Sequence, residues 1–114
     1  MPITTSVKSK ANQELVAYCA AKIPAHVQDK IKLSITWHGS KATLIEHRPY
    51  FLDSSKWIDS PVAQLRFDSA TGLWHLFCRD RNQRWHSFQP MPSSSNLHKL
   101  IAEIDRDQTG IFWG

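Results

Sequence analysis

Ile31, Leu33, Ile35 and Trp37 alternate with Lys32, Ser34, Thr36 and His38, and the run stops at Gly39-Ser40. A period of two places the apolar set on one face of a strand, and a two-residue loop opening with glycine suits a type II′ hairpin. The return strand is expected from Lys41 to about Arg48. In that register Ile35 faces Leu44, Trp37 faces Ala42 and Leu33 faces Glu46, so a carboxylate lands on the apolar face. A lone hairpin is marginal in water, so its apolar face must be covered by other parts of the chain.

Val62 to Asp68, Leu73 to Asp80 and Arg84 to Gln89 read as three more strands, joined around Ala70-Thr71-Gly72 and Arg81-Asn82. With two-residue loops centred on Ala70-Thr71 and on Arg81-Asn82, Ala63, Leu65, Phe67, Trp74, Leu76, Cys78 and Trp85 share one face. Gln64, Arg66, Asp68, His75, Phe77, Arg79, Arg84, His86 and Phe88 then share the other. The first face reads as a core, whereas the second is half charged and half aromatic.

Leu15, Cys19 and Ile23 recur every four residues, with Val16 and Ala20 beside them, which predicts an amphipathic helix from Ala11 to Ile23. Pro24 ends or kinks it, and Val27 and Ile31 suggest a short helical piece within Ala25 to Ile31. After Pro90 and Pro92, Ser93 to Ser95 supply caps, and Leu97, Leu100, Ile101 and Ile104 mark a second amphipathic helix. The apolar Ile111-Phe112-Trp113 is expected to tuck back against the body. Arg48 to Ser60, with Pro49 and Pro61 at its edges, reads as a long loop, either functional or laying Tyr50, Phe51 and Trp57 across an open end of the core.

The fold class is therefore α+β: an N-terminal helix, a five-stranded antiparallel β-meander and a C-terminal helix, with the helices on the Trp74, Leu76, Trp85 face. A chain of 114 residues buries about 65% of its unfolded surface, enough for one core, so residues 1–114 are read as a single domain with a flexible N-terminus over residues 1–10. Cys19 and Cys78 have no Cys-x-x-Cys spacing and read as small buried hydrophobes, and no N-terminal apolar run marks secretion or a membrane span. The expected compartment is the cytoplasm.

Several features occur together: Glu46-His47-Arg48-Pro49, Trp57, Ser60-Pro61-Val62-Ala63-Gln64, Trp74 with Leu76 and Asp80, Trp85, and the closing Gly110-Ile111-Phe112-Trp113-Gly114. From about Leu15 onward the chain resembles a family of short bacterial proteins catalogued as a domain of unknown function. The resemblance implies a bacterial, single-domain, stand-alone protein. It marks Glu46, Arg48, the Pro-Val-Ala start of the third strand, Asp80 and the Phe-Trp-Gly tail as family features without giving them roles, and it brings no activity or cofactor.

Three functional readings remain open. Arg66, Arg79 and Arg84 surround His75, Phe77, His86 and Phe88 on one predicted face, and aromatic rings flat on a sheet with guanidinium groups between them form a platform for single-stranded nucleic acid. The net charge of +4 permits an anionic partner. This non-enzymatic binding module is the leading expectation. A protein–protein module with an acidic partner is the second, and a hydrolase-like enzyme using Glu46 and Asp80 is the third. Glu46 on an apolar face needs an arginine partner from Arg48, Arg66 or Arg79 if it is structural, or is a desolvated general base if it is not. The six histidines, at 26, 38, 47, 75, 86 and 98, lack metal-ligand spacing, and no nucleophile elbow or phosphate loop is present, so no metal or cofactor is expected.

Overall fold

A computed structural model describes residues 3–27 and 29–113, so Met1, Pro2 and the expected family glycine Gly114 lie outside it, as does Gln28 of the short helical piece. Helix α1 runs Thr5–Lys22, and the Thr4 hydroxyl caps it by accepting the Val7 N–H at 3.3 Å. It begins two turns before Ala11, so residues 5–10 of the stretch expected to be flexible are helical. Ala11 and Leu15 are buried, Ile23 closes the helix, and Val16 stands 50% exposed. The buried stripe is thus narrower than the spacing implied. A 3₁₀ turn, Ala25–Val27, leads into the sheet.

The strands are β1 (Lys32–His38), β2 (Lys41–Tyr50), β3 (Asp53–Asp68), β4 (Leu73–Arg79) and β5 (Trp85–Ser87), paired in chain order as an antiparallel meander. A two-residue strand, β6 (Ser93–Ser94), pairs with Trp74 and His75 on the stretch of β4 that β5 does not reach. Helix α2 (Leu97–Arg106) follows, capped by the Asn96 side chain accepting the His98 N–H at 3.0 Å. The expected α+β meander between two helices is the observed fold.

Turn chemistry sets the register. In the β1–β2 turn Gly39, and not Ser40, takes a positive φ, +61°, as a type II′ turn requires, and Ile35 faces Leu44, Trp37 faces Ala42 and Leu33 faces Glu46. Ala63 faces Cys78 and Leu65 faces Leu76, in the register expected from the Ala70-Thr71 turn. The next turn differs by one residue: Arg79 faces Trp85, Cys78 faces His86 and Phe77 faces Ser87. The loop has three residues, Arg81-Asn82-Gln83, with Gln83 at φ +64°, and a three-residue loop ending in a left-handed residue is a stable hairpin closure. Every side chain of β5 is therefore turned over relative to expectation. Trp85 leaves the helix side, while His86 and Phe88 leave the other.

The segment Arg48 to Ser60 is not a loop. Strands β2 and β3 continue past the sheet as a two-stranded arm, turning at Phe51 and Leu52, and residues 51–60 are exposed throughout. With no buried face, the arm has no alternation to betray it. Between Leu44–Ala63 and Ile45–Pro61 the pairing slips by one residue, so that Val62 is a bulge; both Val62 and Ala63 are buried, and Pro61 sits where a ladder is already interrupted.

One core joins Ala11 and Leu15 of α1 and Leu97, Leu100, Ile101 and Ile104 of α2 to Leu44, Leu65, Trp74 and Leu76 of the sheet. Both helices thus lie on the same sheet face. The C-terminal segment closes one end: Phe112 is buried against Phe88, ring centroids 5.0 Å apart, and Trp113 Nε1 donates to the Ile104 carbonyl at 2.9 Å. Asp107, left-handed at φ 45°, accepts the Phe112 and Trp113 N–H groups on its two carboxylate oxygens.

Candidate functional site

With both helices on one side, the opposite sheet face is left without a helical cover, and the register orders it in rows. His38, Lys41, Arg66 and His75 run across four strands as a basic row. Next come Thr36, Thr43, Gln64, Phe77 and Ser87. Toward the arm stand Ser34 with Ile45 and Pro61, then Lys32 with His47 and Asp59.

These side chains are held laterally. Arg66 Nε donates to Gln64 Oε1 at 2.6 Å, and Gln64 Nε2 donates to Thr43 Oγ1 at 3.0 Å. The Arg66 guanidinium carbon lies over Phe77, 3.8 Å from the ring centroid. Burial draws the Arg66 pKa down from the ordinary arginine value, yet a guanidinium remains charged at neutral pH. Arg79 stands 5.5 Å from the Trp85 ring and donates from Nη2 to the Gln83 carbonyl, while its Nε makes no hydrogen bond among the described residues.

Of the residues expected on this face, the structure brings together Arg66, His75, Phe77 and Arg79. Arg84 is exposed in the turn before β5. His86 lies opposite Cys78 on the helix side, beyond the helices' cover and 57% exposed, and Phe88 is 3% exposed inside the core. Both leave the platform because the three-residue turn shifts the register, and Trp85 enters it. A glycine at the left-handed position would have announced that turn; Gln83 gave no such signal.

The family-marked residues are held by their neighbours. Arg48 Nε donates to Glu46 Oε1 at 2.7 Å, so Glu46 has Arg48, not Arg66 or Arg79, as its partner. The pair borders an open cavity of about 400 Å³ with Lys22, Ile23 and Trp113, where the ends of both helices meet the sheet. Asp80 organises the β4–β5 turn: Oδ1 accepts the Asn82 and Arg84 N–H groups at 2.8 and 3.0 Å, and Oδ2 lies 2.5 Å from His86 Nε2. The Arg84 N–H, with His86 second, holds the Asp80 carboxyl below the usual carboxylate range. Glu46 and Asp80 thus act in two separate local networks. Burial pushes the Cys19 thiol up to about 11 and raises that of Cys78, so neither is a ready thiolate. Among the described residues, no group of three or more His, Cys, Asp or Glu could hold a metal ion.

One arrangement escaped the sequence. Ser34 Oγ lies 2.7 Å from His47 Nε2, and His47 Nδ1 lies 2.6 Å from Asp59 Oδ1. Beside it, Lys32 Nζ sits 4.7 Å from the Trp57 ring centroid. Asp59 and Trp57 belong to the arm, and reading that arm as a loop hid their alignment with His47.

The fold defines a small α+β domain, a meander with both helices on one face and a polar, basic face opposite. The chain belongs to the family described as Domain of unknown function (DUF3024), whose model matches residues 3–114. No curated protein and no solved structure matches it at a significant level. Among the described residues, no helix is long and apolar enough to cross a membrane.

Proposed function

We propose that this protein is a bacterial, cytoplasmic binding module that takes single-stranded nucleic acid on its open sheet face. The observation that carries the reading is the basic row His38, Lys41, Arg66, His75, which crosses four strands on the face that neither helix covers. Phosphates would follow the row, and bases would stack beside it on Phe77 and Trp85, at about 1–3 kcal/mol per stacked base. Arg66 would swing off Phe77 to meet a phosphate, exchanging one cation–π contact for an ion pair. Two unpaired thiols fit a reducing compartment.

The test is a fluorescence anisotropy titration of the intact protein with mixed-sequence single-stranded RNA and DNA of about 12 nucleotides, at about 50 and 200 mM salt. Binding should weaken steeply with salt, and Arg66→Ala should flatten the slope by about 0.7, one single-strand phosphate contact. Phe77→Ala should weaken binding with the slope unchanged. Absence of binding at the lower salt, or indifference to both substitutions, sinks the reading.

A second reading, a protein–protein interaction module, is favoured by the arm tip, where Phe51 is 86% and Leu52 71% exposed. A partner protein retained by Arg66→Ala and lost by Phe51→Ser would support it over nucleic acid.

A further inference from the structure

Three neighbouring strands bring a serine, a histidine and an aspartate into hydrogen-bonded series on the open face. A carboxylate only accepts, so the 2.6 Å contact with Asp59 Oδ1 places the ring proton of neutral His47 on Nδ1. Nε2 is then a bare lone pair, and the Ser34 hydroxyl donates to it across 2.7 Å. That is the tautomer a general base needs to take a proton from a nucleophilic hydroxyl.

The backbone enforces the alignment. His47 is directly opposite Asp59 across β2 and β3, while Lys32 is opposite His47 across β1 and β2, which leaves Ser34 on the diagonal. Diagonal neighbours on one sheet face are about 7–8 Å apart, a span an imidazole bridges. The bulge at Val62 is the decisive element. Without that extra residue, the arm half of β3 would slip by one, Ser60 would face His47, and Asp59 would turn to the other side.

Beside the relay lies an open cavity of about 300 Å³ lined by Lys32, Leu33, Ser34, His47 and Trp57. It offers an apolar wall, one cation and the hydroxyl within a single concavity. We propose that Ser34, His47 and Asp59 form a nucleophile relay that hydrolyses carboxylic esters, with the ester's apolar part against Trp57 and the Lys32 ammonium facing the carbonyl oxygen. Ser34 Oγ bonds to the carbonyl carbon while its proton passes to His47 Nε2, and negative charge gathers on the carbonyl oxygen beside Lys32. The bond to the leaving alcohol then breaks, and the alcohol departs with the proton from His47. A water molecule, giving a proton to the same Nε2, adds to the acyl carbon; the carboxylic acid leaves, and Ser34 Oγ regains its proton. Ser34 and His47 are the catalytic residues, and Asp59 is a positioning residue that fixes the tautomer. This site stands apart from the nucleic-acid reading, and either could fail alone.

The test is labelling of the intact protein with a fluorophosphonate, which forms an Oγ–P bond and expels fluoride, followed by intact mass and peptide mapping. One adduct on Ser34 is expected in the wild type and none in Ser34→Ala. His47→Gln should slow labelling by about a hundredfold or more. Asp59→Asn, which leaves the ring in place but frees its tautomer, should slow it by at least about tenfold. Lys99→Ala, on the exposed side of α2, should label at the wild-type rate. Phenyl acetate hydrolysis should fall in the same order. The proposal is overturned if folded wild-type protein gives no Ser34 adduct, or if both His47→Gln and Asp59→Asn label as fast as wild type.

Discussion

The two faces of this sheet are built from the same strands and held by different physics. On the helix side, Leu44, Leu65, Trp74 and Leu76 are each 4% exposed or less beneath α1 and α2, and that face gains its energy from area removed from water. On the open side, Arg66, Gln64, Thr43 and Phe77 hold one another through hydrogen bonds and ring stacking, with no layer above. The first face fixes the fold. The second can change residues at little cost to folding, so its chemistry is available for binding.

Substitutions can break or sharpen this contrast. The largest effect is expected at Phe88, whose replacement by Ala empties a core site against Phe112 and should cost about 3–5 kcal/mol in urea unfolding. Phe77→Ala on the open face should cost about 1 kcal/mol or less. A loss at Phe88 as small as that at Phe77 would mean that the β5 register is the one the turn residues first suggested, with both rings on the open face. At Asp80 the sign follows from its depressed pKa: the stabilisation is present above the ordinary carboxylate value and is lost as pH falls through the lower folded value. Thermal melts should therefore place Asp80→Ala below wild type at neutral pH and show the gap closing as pH drops below about 4. Glu46→Gln removes an ion pair whose Arg48 partner is 62% exposed, so the loss should stay within about 1 kcal/mol by chemical denaturation. At the arm tip, Phe51→Ser should change unfolding free energy by no more than about 0.5 kcal/mol.

Where a turn residue had one conformational solution, the sequence was legible. Gly39 pinned β1 to β2, and Gly72, left-handed at φ +72° in the Ala70-Thr71-Gly72 turn, pinned β3 to β4. The four-residue step from Leu97 to Ile104 marked α2 because that helix buries a broad face. Legibility failed where a signal depends on burial or on glycine. The arm buries neither side, so it looked like loop composition, and the Val62 bulge at its base was invisible. Gln83 occupies a left-handed position that Asp80 stabilises by hydrogen-bonding the backbone around it, and no glycine marks it. Those two omissions cost the candidate site most: one moved Phe88 and His86 off the platform and Trp85 onto it, and the other concealed Asp59 beside His47.

Three of the five tryptophans, Trp74, Trp57 and Trp85, stand in the core, on the arm and on the open face, which gives the molecule an optical signature. Trp74 is 4% exposed in the core and should emit at short wavelength, out of reach of a collisional quencher such as iodide, while Trp57, 40% exposed on the arm, should emit further to the red and be quenched readily. Trp85, half-buried on the open face beside Arg79, is placed to register whatever settles there. One emission spectrum, resolved by quenching, can therefore follow core, arm and open face without any added dye.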